Sequence, residues 1–440
     1  MRAPMNPLNH PDRRADFCAI DFGTSNSAIA IPGEGGMRLV ELEPGHVTMP
    51  TAVFYLVEGR DDADGPPRAF GRAAIAAYID GLDGRLMRSM KSILGSALAD
   101  QTTDVGGGRG VKYADIVAGY LKRLRRLAQA AGQPAERVVL GRPVFFVDDE
   151  PARDAAAQAA LEAAARAAGF AEVQFQFEPI AAAFDYERQA TRESLVLVAD
   201  IGGGTSDFSI VRVGPERMQR VERRDDILAN HGVHIAGTDF DRHVELASIL
   251  PEFGYRALGP ARPDGPPREV PSGIYFDLAT WHLINTVYSP LRVAELRQMR
   301  AFYADADHHR RLMTVVEERL GHELAGRAED AKIAVAEGGS TVVDLGHVER
   351  GLSVELDAGR ANEAIAADLG RIVAAARETV QLAGLAASDI DVLYFTGGST
   401  GLATLSQAIA AEFPQARAVR GDRFASVATG LGLHAARLFG

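Results

Sequence analysis

Short apolar blocks, broken by glycine-rich and acidic punctuation, set the pattern of the chain. Phe17 to Phe22 reads as a strand and Ser27 to Ile31 as a second, joined by Gly23-Thr24-Ser25-Asn26. Ala52 to Val57 is a further β-like run, which leads into a polar loop, 59–68, rich in Asp, Gly and Pro. Ile116, Val117, Tyr120, Leu121, Leu124 and Leu127 then fall at helical spacing, which predicts a helix over 116–131. Val138 to Val147 returns to strand character. Ala152 to Ala168 predicts an Ala-rich helix closed by Gly169, a residue type suited to helix C-termini.

The second half begins as the first does. Leu195 to Asp200 is an apolar run ending in an acid, followed by Gly202-Gly203-Gly204-Thr205-Ser206-Asp207 and a strand from Phe208 to Val213. A third such strand, Asp391 to Phe395, is closed by Thr396-Gly397-Gly398-Ser399-Thr400. Between them, 251–275 is rich in Pro and Gly and marks a long loop or insertion boundary. Tyr275 to Lys332 is mostly helical in pattern, and a last amphipathic helix follows Phe424. Strands alternating with helices predict an α/β fold. Asp21 and Asp200 close equivalent strand–glycine–hydroxyl–strand units 179 residues apart, which predicts two similar lobes.

Composition narrows the partners. The 440 residues carry 47 Lys and Arg against 59 Asp and Glu, a net charge of −12, which argues against binding to nucleic-acid phosphates. The single cysteine, Cys18, excludes an intramolecular disulfide and a Cys-cluster metal site, and its apolar setting predicts a small buried hydrophobe. Met1 to Ala15 has no apolar core of a secretory signal, and no run approaches the ~20 apolar residues of a membrane helix. The expectation is a cytoplasmic protein with no nucleic-acid or membrane partner.

Glycine lets a backbone approach a ligand and pass through φ > 0. Successive amides in such a turn form an anion cradle to which Thr24, Ser25, Thr205 and Ser206 add hydroxyls. The acids at the strand ends are wrong for touching phosphate and right for Mg²⁺, which keeps several waters and needs few carboxylates. One strand–glycine–strand turn is more often a plain hairpin. Two with acids, and a third without, fit a nucleoside triphosphate: the first pair for phosphates and metal, the third for the adenosine end. His231, His234 and His243 show no zinc spacing, and His308-His309 reads as solvated.

Ala19-Ile20-Asp21-Phe22-Gly23-Thr24-Ser25-Asn26-Ser27 resembles the first phosphate loop of the DnaK-type heat-shock chaperone ATPases, in the actin and sugar-kinase superfamily. Asp200-Ile201-Gly202-Gly203-Gly204-Thr205-Ser206-Asp207 resembles the second. Glu178-Pro179-Ile180-Ala181-Ala182-Ala183, Gly237-Thr238-Asp239-Phe240-Asp241 and Phe395-Thr396-Gly397-Gly398-Ser399-Thr400 resemble further segments of that family, in family order. The resemblance implies a two-lobed actin-like ATPase fold with duplicated ribonuclease-H-like lobes and a nucleotide cleft between them. The domain expectation is an N-terminal arm, 1–15, then lobe I, 16–193, and lobe II, 194–440. Lobe II would carry an enlarged helical insert at about 244–325 and a C-terminal helix returning to lobe I.

The same resemblance implies roles. Asp21, Glu178, Asp200 and Asp207 would surround Mg²⁺ and its waters, with Asp200 or Glu178 orienting the attacking water. Gly23, Thr24, Ser25, Asn26, Gly202, Gly203, Gly204 and Thr205 would hold phosphates. Lys91, in Arg88-Ser89-Met90-Lys91-Ser92-Ile93-Leu94-Gly95, would stabilise the γ-phosphoryl charge, and Pro143 falls at the family's switch proline. Glu329, Lys332, Gly397, Gly398 and Ser399 would hold adenosine. Where the family has two adenine-stacking arginines and a serine, this chain has Ile333, Gly401 and Ala336. The chain also stops at Gly440, where DnaK-type chaperones continue into a peptide-binding domain, and Tyr275 to His282 resembles the shorter YegD-like branch. The expected function is a stand-alone chaperone-type ATPase, binding Mg-ATP between two lobes and hydrolysing it slowly as a switch read by a partner or co-chaperone in trans. A nucleotide-binding scaffold, a small-molecule kinase of the superfamily and an actin-like filament former are the alternatives.

Overall fold

The structure is a computed structural model that describes residues 16–94, 101–147, 150–263, 265–421 and 426–440. The expected arm, 1–15, and Gly95 of the Lys91 segment lie outside the described residues. The chain divides into two compact units. One comprises Met1–Val198, Val211–Leu228 and Phe424–Gly440, the other Ala199–Ile210 and Ala229–Arg423.

Two sheets share one strand order. The first runs Glu172–Phe177, Arg137–Arg142, Phe17–Phe22, Asn26–Gly33, Gly36–Leu39, with Thr48–Pro50 pairing alongside Asn26–Gly33. The second runs Arg417–Arg420, Val392–Thr396, Ser194–Ile201, Ser206–Val213, Ile227–Val233. In both, the first strand of the set is central, its hairpin partner lies on one side and a later strand on the other. In the first sheet that later strand, Arg137–Arg142, is parallel, with Phe17 opposite Arg137 and Ile20 opposite Leu140. The sequence echo between Asp21 and Asp200 is therefore an echo of topology.

Alternation is weak in Phe17–Phe22 because nearly every position is buried, as expected for a central strand covered on both faces. Cys18, Ile20, Phe22 and Ile29 pack with Ile116, Tyr120, Leu124 and Leu161 from the helices Tyr113–Ala130 and Pro151–Ala167. Burial pushes the Cys18 thiol up to about 12, so it is an inert core residue. On the other side Ala28 and Ala30 meet Ala428 of the C-terminal helix, Ser426–Phe439. That helix crosses Glu178–Glu187 so closely that a Cβ at Gly430 would lie 1.9 Å from the Ala181 carbonyl oxygen.

The insert is more ordered than its composition suggests. Residues 251–275 fold back on themselves, with Leu258 bridged to Glu269 and Arg262 to Gly265. Tyr275 and Tyr303 are buried, their hydroxyls 2.9 Å apart, and Tyr275 donates to the Phe253 carbonyl at 2.8 Å. The paired histidines separate: His309 is buried with Nε2 2.9 Å from the Leu296 carbonyl, not solvated, because its helix Ala306–Glu317 presents it to this small core. The strand expected over 138–147 ends at Arg142, where Pro143 removes an amide and Arg142 turns onto Asp154 at 2.8 Å.

Candidate nucleotide site

In the first unit Asp21 stands, half-buried, at the end of the central strand opposite Ala28, and Gly23 begins the turn. A Cβ on Gly23 would lie 2.3 Å from the Asn26 carbonyl oxygen, so the hairpin closes on itself only with glycine there. Neither Gly23 nor Gly202, Gly203 and Gly204 adopts a positive φ. What Gly23 needs is room, not left-handed backbone. Thr51 pins the turn from outside: its hydroxyl donates to the Gly23 carbonyl at 2.7 Å and its amide to the Ser25 carbonyl at 2.9 Å. Thr24 and Ser25 are half-buried beside it and Asn26 is exposed.

Lys91 lies on the short turn of helix Met90–Ile93, entered through Ser89 at φ 52°. It is buried and ion-paired to Glu178 Oε1. Glu178 is the first residue of its helix, where a carboxylate meets the positive end of the helix dipole. Gly141 makes room for it, since a Cβ there would lie 3.1 Å from Glu178 Cγ. The structure thus brings together two residues 87 apart in sequence, a cation and a carboxylate.

In the second unit three glycine segments converge. Asp200, half-buried, is the penultimate residue of its strand, and Gly397 adopts φ 86° beside it. A Cβ on Gly397 would lie 2.4 Å from the Ile201 carbonyl oxygen and 2.7 Å from Asp200 Oδ1. The Gly202 carbonyl accepts from the Ser399 hydroxyl at 2.7 Å and from the Gly237 amide at 3.3 Å. The Gly203 carbonyl accepts from the Thr238 amide and hydroxyl, both at 2.8 Å. Thr205 donates to Asp207 Oδ2 at 2.8 Å, and buried Ser206 donates to the Ile235 carbonyl at 2.7 Å. Gly398 continues the turn into Gly398–Gly401.

Lys332, on the helix Gly321–Ala334, lies 2.6 Å from Asp241 Oδ1 and 3.5 Å from the Gly237 carbonyl. Burial pushes the Asp241 carboxyl up to about 6, with the Lys332 charge pulling the other way. Glu329, one turn earlier on that helix, is exposed. Ile333 is 60% exposed, and the Ala336 carbonyl accepts the Ala403 amide at 3.1 Å.

The donor set suits a polyphosphate and a hard cation. A Cβ at Gly204 would meet nothing within 4 Å, and at Gly202 only the Thr205 carbonyl at 3.8 Å. The packing of the chain leaves room for a side chain at both positions. Among the described residues no group of three or more His, Cys, Asp or Glu side chains converges to hold a metal. Sequence reasoning missed Thr51 and Gly141, and it singled out the segment of Asp241 without its pairing to Lys332; these roles depend on contacts far away in sequence.

Duplicated sheet order and glycine turns after each central strand define an α/β fold of the actin-like ATPase class. A family model described as Hsp70 protein matches residues 17–254. With more than half of its length matched, the chain belongs to the Hsp70 family. Among similar proteins are a chaperone protein HscA homolog of Pseudomonas putida, 33% identical over 273 residues, and one of Tolumonas auensis, 31% identical over 220. The chaperone protein DnaK of Stenotrophomonas maltophilia is 27% identical over 251 residues. These matches cover 57%, 46% and 53% of this chain and 40%, 33% and 37% of the relatives, so the likeness spans well under half of their length. Among the described residues no helix is long and apolar enough to cross a membrane.

Proposed function

We propose that the chain is a chaperone-type ATPase that binds Mg-ATP and hydrolyses it slowly, as a switch read by a protein partner or co-chaperone. The observation that carries this reading is the convergence of Gly202–Gly204, Gly237 and Gly397–Ser399 on one another in the second unit. The open space at Gly204, where a Cβ would meet nothing within 4 Å, supports close approach of phosphate oxygens to this turn. Thr24 adds a hydroxyl donor, and Thr205 does so once its hydroxyl turns from Asp207, with Ser25 and Asn26 completing the first turn. Lys332, Glu329, Gly398 and Ser399 would meet the nucleoside.

Asp21, Glu178, Asp200 and Asp207 would hold Mg²⁺ largely through water; bound there, the ion would neutralise charge on the phosphates. Lys91 supplies the cation that stabilises charge on the γ-phosphoryl oxygens. Asp200 or Glu178, the latter paired with Lys91, would orient the attacking water. The bases proposed here are carboxylates, a weakly basic side-chain class, which supports slow turnover. The exposed Ile333 and small Ala336 and Gly401 give the base no cationic stacking partner, which favours easy nucleotide release.

Calorimetric titration with Mg-ATP, followed by phosphate release, tests the reading. One-site binding with slow release is expected. Binding without release would favour a scaffold, phosphate transfer to an added acceptor would favour a kinase, and no binding would contradict the nucleotide reading altogether.

A further inference from the structure

The helix Gly237–Val244 continues into a π-helical turn, Glu245–Ile249, an uncommon geometry that often accompanies functional positions. The first residue of that turn is Glu245. It follows Asp241 by four positions, is 1% exposed, and its Oε1 is buried with no hydrogen-bond partner among the described residues. In the run Asp239-Phe240-Asp241-Arg242-His243-Val244-Glu245 the structure buries the last acid.

The charges around the turn are accounted for. Lys332 and Glu329 come from the helix Gly321–Ala334, and Lys332 is taken by Asp241. From the helix Ala358–Leu382, Asp368 pairs with His243 at 3.1 Å and Arg360 donates to the Ala247 carbonyl at 2.6 Å. Glu252 on the following turn pairs with Arg311 at 3.2 Å, and Glu355 of the strand Ser353–Asp357 is exposed. On its own helix Asp239 caps the Ala236 amide at 3.0 Å, and Arg242 lies over the Phe276 ring. The charge that acts on Glu245 is that of Asp241. Two carboxyls and one ammonium, largely withdrawn from water, leave one negative charge too many if both acids ionise. An unpaired buried carboxylate is costly and takes up a proton instead.

We propose that Glu245 is a positioning residue for the nucleotide site: a buried, proton-carrying acid behind Asp241 that keeps the Asp241–Lys332 pair neutral, so that Lys332 is held at the Gly237 carbonyl without being drawn inward. This rests on the reading of Lys332 as a nucleotide contact. When Glu245 loses its proton, the second negative charge holds Lys332 more tightly and repels the polyphosphate. Nucleotide affinity then falls as pH rises. Burial, reinforced by Asp241, pushes Glu245 well above the usual carboxylate range, which places this loss on the alkaline side of its ordinary titration.

The test is the Kd for Mg-ADP from about pH 6 to about pH 9 in wild type and Glu245→Gln, alongside ligand-free thermal unfolding over the same range. In wild type, Kd should weaken by several-fold toward the alkaline end, and Glu245→Gln should flatten that profile. A carboxyl whose folded pKa is raised stabilises fully below its unfolded pKa and loses that contribution as pH rises. Glu245→Gln should therefore gain in melting temperature over wild type as pH increases. A Glu245→Gln profile parallel to wild type overturns the proposal, as does an unchanged melting difference. If wild type binds no Mg-ADP while the melting difference still grows with pH, it is the nucleotide reading that has failed, and the role assigned to Lys332 goes with it.

Discussion

The two glycine turns look alike in sequence and are built for different purposes. The turn after Asp21 is closed by its own backbone: Gly23 sits against the Asn26 carbonyl, and Thr51 ties it down. The turn after Asp200 is a hub, its Gly202 and Gly203 carbonyls each taken by residues from elsewhere, while the Cα of Gly204 faces open space. Chemistry is divided the same way. A buried Lys–Glu ion pair accompanies the closed turn, and backbone amides and hydroxyls accompany the open one. Similar motifs can thus mark topologically equivalent positions and yet be held by different contacts.

The hub is the easier of the two to break. Gly397→Ala combines a left-handed φ of 86° with a backbone clash against Ile201, and should cost about 3 kcal/mol or more of stability, read as a urea midpoint shift. At the closed turn's ion pair, Lys91→Ala should lower single-turnover hydrolysis by about 10²–10³-fold, with ATP still bound. Unchanged hydrolysis would remove Lys91 from the chemistry and leave it a structural partner of Glu178.

The sharpest comparison is between two glycine-to-alanine changes. Gly23→Ala should destabilise the ligand-free protein by about 2 kcal/mol, because the Asn26 carbonyl must move. Gly204→Ala should leave ligand-free stability within about 0.5 kcal/mol and weaken Mg-ATP binding by roughly tenfold, about 1.4 kcal/mol. Equal losses of ligand-free stability in the two variants would erase the distinction between closed turn and open cradle.

Much of this was legible in the chain. The strand Phe17–Phe22 was marked by an uninterrupted apolar run ending in an acid, and the helix Pro151–Ala167 by alanine and the Gly169 that ends it at φ 101°. Glycines at 23, 202–204 and 397 marked the candidate site, but sequence could not say which of them bend the backbone and which give room. That depends on contacts made across long sequence separations, such as Thr51 on Gly23 and Ser399 on Gly202. The burial of Asp241 and Glu245 was illegible for the same reason. Their helix is polar in sequence, and burial comes from packing against Gly321–Ala334 and Ala358–Leu382. The overrun at Val147 has a local cause, the missing amide of Pro143, which strand patterning alone does not register.

The central claim is that Asp200 and its glycine turn serve ATP hydrolysis. Single-turnover hydrolysis of Mg-ATP by wild type and Asp200→Asn, with binding measured on the same preparations, tests it most directly. The account predicts slow hydrolysis by wild type, a loss of about 10²-fold or more in the variant, and binding retained in both. Equal rates in the two proteins would contradict it.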